Sequence, residues 1–96
     1  MAFVTLEHFA AHLNESFFSP QDGNAQFVLI EVQPLLAATS EAQQRGPFCL
    51  LFRCTSPVLL GQKTFQLQHA ELGEMGIFLV PVARDAQGYL YRADFT

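Results

Sequence analysis

His8 and His12 stand one helical turn apart, a spacing at which two imidazoles can hold one zinc ion. The zinc-protease pattern needs a Glu directly after the first His, and Phe9 stands there instead. A third ligand would have to come from His69 or a distant carboxylate. The simpler expectation is a solvated polar helix face, with no metal and no other cofactor. Ser, His and Asp all occur, but GxSxG is absent and no spacing argues for a catalytic triad. His69 follows a strand-like run and precedes a turn, which predicts a backbone-capping role rather than general-base chemistry. Glu71 and Glu74 flank Gly73 and could form an acidic pair. Catalytic carboxylates normally sit in a cleft, whereas these read as a solvated turn. Gly73, Gly76 and Gly88 are too dispersed to cradle a phosphate. No residue is assigned a catalytic role, and a non-enzymatic protein is expected.

Arg53 and Arg92 each lie inside a strand-like run. Isolated charges there usually point to solvent or pair across strands. Should both point to one sheet face, they would offer a contact point for a partner's carboxylate. Arg53, Arg92, His69 and Glu74 are therefore the candidate interaction residues. Cys49 and Cys54 share a single strand, where five steps of ~3.3 Å set them roughly 16 Å apart on opposite faces. A disulfide needs Cα atoms within about 7 Å, so the two are expected as free thiols acting as small hydrophobes.

The elements that must position these residues are dense, especially from Pro47 to Phe95. A short amphipathic helix is predicted over about 5–13, capped by Thr5, with Val4 and Phe9 at hydrophobic-staple spacing. Leu6, Phe9, Ala10 and Leu13 would share its apolar face, and Asn14 would close it in a left-handed conformation. Strands are predicted over about 15–19, 26–33, 47–54, 63–68, 75–83 and 89–95. In the third, Phe48, Leu50 and Phe52 face inward against Cys49, Leu51 and Arg53. In the fourth, Phe65 and Leu67 face inward. Met75 to Ala83 is apolar on both sides, which predicts a strand covered on both faces. Asp85-Ala86-Gln87-Gly88 signals a hairpin, and Ala37 to Gly46 reads as a small, polar loop. The fold class is mostly β: a six-stranded, mainly antiparallel small barrel or sandwich, with the helix plugging one open end.

Ninety-six residues make a single domain spanning 1–96. Half the residues are apolar and 15% are charged, ample material for a packed interior. Ten Phe and no Trp favour rings that fill a core over rings that line a wet binding face. A formal net charge of −4 with scattered basic residues argues against nucleic acid. No run approaches a membrane span, so no membrane insertion is expected. The N-terminus lacks the pattern of a secretory signal, which predicts a cytoplasmic chain, with assembly into an extracellular structure left open.

The run PFCLLFR, followed by QKTFQLQHAELGEMGIFLVPVARDAQGYLYRADF, resembles a small bacterial family of domains of unknown function. Its members run roughly PFSLLFRG…LxHxxLGExxLFLVPVGRDxxGxxYEAVFN, with an N-terminal LTxxxFxxHLGExF that is similar to Leu6–Phe17. The resemblance covers nearly the whole chain and is weakest across Pro20–Gly46. Asn14 and Cys54 stand where the family usually has Gly, and Arg92 where it usually has Glu. The resemblance implies a β-rich, non-enzymatic bacterial protein encoded near phage-tail-collar-like proteins. Taken with the low charge and high Phe content, the expectation is a structural or protein-interaction module. It would dock a protein partner or a copy of itself through a sheet edge and apolar contact. The alternative is a small barrel holding an apolar ligand in its interior.

Overall fold

The computed structural model describes residues 6–34, 47–56 and 59–95. Helix α1 spans Leu6–Ala10, and six strands follow: β1 Ser16–Ser19, β2 Ala25–Pro34, β3 Phe48–Cys54, β4 Lys63–His69, β5 Gly73–Asp85 and β6 Gly88–Phe95. A 3-10 turn at Pro20–Asp22 links β1 to β2. The strands close into an antiparallel barrel in the order β1-β2-β3-β6-β5-β4. Two meanders, β1–β2–β3 and β4–β5–β6, are thus joined along β3–β6, where Phe48 lies opposite Phe95 and Cys54 opposite Tyr89.

Closure depends on how β5 divides its pairing. Gly73 to Leu79 pair with β4, whereas Val80 to Asp85 pair with β6. Register shifts at Leu29/Glu31 in β2 and Pro81/Ala83 in β5 mark bulges, which bend and twist a strand enough to curl a short sheet. The β2 bulge also turns Val32 onto the core, away from the side of Val28 predicted by plain alternation. The seam between β1 and β4 is thin, a single pairing of Phe18 with Gln68. The 3-10 turn lies beside β4 there, and Lys63 of β4 donates to Asp22 at its end. A charged lysine and a covering turn blunt what would otherwise be an open edge.

The barrel interior is filled with rings. Phe27 packs edge-on against Phe52, Phe65 and Tyr91 at centroid distances of 6.4, 5.2 and 5.4 Å. Leu29, Leu50, Leu67 and Leu79 are buried around them. The Tyr91 hydroxyl, the one polar group of this ring cluster, accepts a hydrogen bond from the Leu60 amide at 3.0 Å. Burial pushes its titration upward. Phe9 of α1 closes one mouth against Phe17, Phe48 and Phe95, as expected of the helix.

Three expectations are corrected. The helix ends at Ala10 rather than near residue 13, because the chain tightens there: the His12 amide bonds back only three residues to Phe9, and the Asn14 amide bonds to Leu29 of β2. Asn14 does adopt the left-handed conformation, at φ 70°. The apolar face is rotated, so that Phe9 and His12 are buried while Ala10 and Leu13 are exposed. Finally, β5 is covered on one face only. Ile77 and Leu79 are buried, but Phe78 and Val82 remain 50% and 51% exposed, since a closed barrel has one inside and α1 sits at its mouth. Thr5, Val4 and the Ala37–Gly46 loop lie outside the described residues.

Candidate functional site

At the α1 end of the barrel, three residues from separate segments converge. His12 leaves the turn after α1, Glu15 precedes β1, and His69 ends β4. One carboxylate oxygen, Glu15 Oε1, lies 2.9 Å from His12 Nδ1 and 2.7 Å from His69 Nε2. The two imidazoles meet edge-on at 4.5 Å, and Phe17 lies 4.6 Å from the His69 ring. The His69 side chain is 3% exposed, His12 11% and Glu15 46%. Glu71 stands on the solvent side, its Oε2 3.9 Å from His12 Nε2.

The proton positions follow from the partners. His69 Nδ1 accepts from the amides of Glu71 and Leu72 at 3.0 and 3.1 Å. An atom receiving two N–H groups carries no proton of its own, so the ring proton sits on Nε2 and is donated to Glu15. His12 donates to the same oxygen through Nδ1. The His12 bond, then the His69 bond, hold the Glu15 carboxyl below its ordinary range. His69 is thus the backbone cap its sequence position predicted, and it also fastens the β4–β5 turn to the start of β1.

Three donor atoms within 4.8 Å of one another are also the raw material of a cation site. The protons argue against that use. A histidine bound to a metal through Nε2 keeps its proton on Nδ1 and donates it outward. Here Nδ1 faces two amide donors, so coordination would demand an imidazolate or an opened turn. The arrangement is a hydrogen-bonded fastening. His12 nevertheless corrects the expectation of a wholly solvated polar helix face: it is buried, whereas His8 is exposed.

The remaining candidates lie elsewhere. Arg53 and Arg92 do share one surface, the outer wall of β3, β6 and β5. Cross-strand rows place Val80, Arg92 and Leu51 side by side, and next to them Ala83, Leu90 and Arg53. Each arginine is held by a nearby carboxylate. Arg53 Nη2 donates to Asp85 at 2.8 Å, keeping that carboxyl below its usual range, and Arg92 Nε donates to Asp94 at 2.7 Å. The Arg53 Nε is shielded from solvent without an acceptor among the described residues. Glu74 is exposed at the start of β5, where it accepts from Gln68 at 3.3 Å, while Glu71 stands near His12. The four candidate interaction residues therefore do not form one site: the arginines share a wall, while His69 and Glu74 sit at the β4–β5 hairpin end, one buried and one exposed.

Glu15 went unnoticed in the sequence, where it reads as the start of a strand. Its spacing of three from His12 was the available signal. Cys49 and Cys54 are free, outward and inward respectively, and burial raises both thiols. Among the described residues no helix is long and apolar enough to cross a membrane. No curated protein and no solved structure matches the chain significantly. A family model does match, and from residue 4 to residue 95 it takes in both the His12–Glu15–His69 fastening and the arginine-bearing wall: the chain belongs to the family described as Domain of unknown function (DUF6916).

Proposed function

We propose that this chain is a non-catalytic structural or protein-interaction module, serving as an accessory of a phage-tail-like or fibre-like assembly. The observation that carries the reading is the outer row of β5. Phe78 and Val82 are half exposed on a strand whose inward Ile77 and Leu79 are buried, and Val80, Leu51 and Leu90 extend the apolar surface across β6 to β3. Apolar side chains gathered on one wall favour docking, because covering them releases ordered water. Docking through this face is favoured over edge pairing, since ring closure and the Lys63–Asp22 cover at the thin β1–β4 seam leave little open edge. The phage-tail-like context comes from the family resemblance.

The competing reading, an apolar ligand held inside the barrel, has less support: the interior space is taken by Phe27, Phe52, Phe65 and Tyr91 packed ring to ring. The test is retention of host proteins by the immobilised chain and by its Phe78→Glu variant. A protein retained by the first and lost by the second supports the module. Equal retention by both, or none by either, counts against it.

A further inference from the structure

The outer wall is electrically balanced, and that selects its partner. Arg53 and Arg92 are each joined to their own carboxylate, Asp85 and Asp94, so the formal charge of −4 is carried by residues elsewhere in the chain. The chain as a whole is acidic, so its copies repel on average, whereas the paired charges of this wall meet their own image without net repulsion. Its pattern is also self-complementary. Arg92 and Asp94 point outward two residues apart on β6, opposite Leu51 and Cys49 of β3. Under a two-fold axis, Arg92 of one copy can face Asp94 of the other, and the reverse contact follows from symmetry. A strongly acidic or strongly basic partner would satisfy one member of each pair and repel the other.

We infer that the occupant of the β3–β6–β5 wall is a second copy of this chain, packed two-fold with Phe78, Val80 and Val82 at the contact. This rests on the docking reading above and names its partner. The experiment is sedimentation equilibrium on the full chain over a concentration series. A mass of twice the 10.7 kDa protomer is expected, and Phe78→Glu should weaken association by at least ~tenfold while leaving the far-ultraviolet circular dichroism unchanged.

A charge exchange makes the geometry specific. Arg92→Asp copies would meet with acid against acid, and Asp94→Arg copies with base against base. Neither variant alone should dimerise, but an equimolar mixture should. If the mixture associates no better than its components, the two-fold pairing is wrong. A wild-type chain that stays monomeric overturns the second copy. If that monomer retains a host protein through Phe78, the broader docking reading stands; if it retains none, both fall.

Discussion

At the scale of single residues, the molecule's notable chemistry is two imidazole donors aimed at one carboxylate oxygen. The sign of its pH dependence follows from Glu15, whose carboxyl is held below the ordinary 4.5, first by the His12 bond and then by the His69 bond. A depressed acid contributes stability that is complete above its unfolded value and lost as pH falls through its folded one. Urea unfolding midpoints of the wild type should therefore drop below pH 4.5. Glu15→Gln should start lower at neutral pH, and the gap between the two proteins should close in acid. His69 offers an independent check. Nitrogen chemical shifts should report an unprotonated Nδ1 and a protonated Nε2, and the reverse tautomer would reopen the question of a metal. Replacing His69 by Phe keeps the ring against Phe17 but removes the acceptor for two amides, at an expected cost of about 1–3 kcal/mol.

Single elements act by closing things: α1 closes a mouth, and the β5–β6 hairpin closes the wall. Phe9 carries α1 into the aromatic cluster at that mouth, touching Phe17, Phe48 and Phe95. Phe9→Ala should cost about 3–5 kcal/mol of unfolding free energy by chemical denaturation. A five-residue helix has little stability of its own, so this packing holds it in place. In the hairpin, Asp85 pairs with Gly88 across a two-residue loop, as the Asp-Ala-Gln-Gly signal indicated. Gly88 has φ 145°, and a Cβ placed there would lie 2.1 Å from the Cys54 carbonyl oxygen. Gly88→Ala must therefore push β6 from β3 and should destabilise by at least about 3 kcal/mol, read as a lowered Tm.

For the molecule as a whole, the ring is closed by contacts distant in sequence. Phe48 pairs with Phe95, and β1 pairs with β4 through Phe18 and Gln68. Loop closure precedes most of the stabilising contacts in such a topology, so refolding should take milliseconds to seconds rather than microseconds, as measured by stopped-flow tyrosine fluorescence. The finished barrel leaves one wall both apolar and charge-balanced. That property belongs to no single strand: it needs β5 bulged at Pro81/Ala83 and β6 set beside β3.

By itself the sequence determined the β-rich class, the six strands within a few residues, the inward rows of β3 and β4, the left-handed Asn14, the separated cysteines and the capping by His69. These follow from local rules: alternation places side chains on faces, and turn chemistry places the chain's reversals. The outward exposure of Phe78, the burial of His12 and the gathering of Glu15 with His69 were decided only by tertiary structure. An apolar residue on the second face of a strand is buried only if another layer covers that face, and a closed ring supplies none. The direction in which His12 points was set by the Asn14 amide bonding to Leu29, a contact between segments that no spacing along the chain encodes.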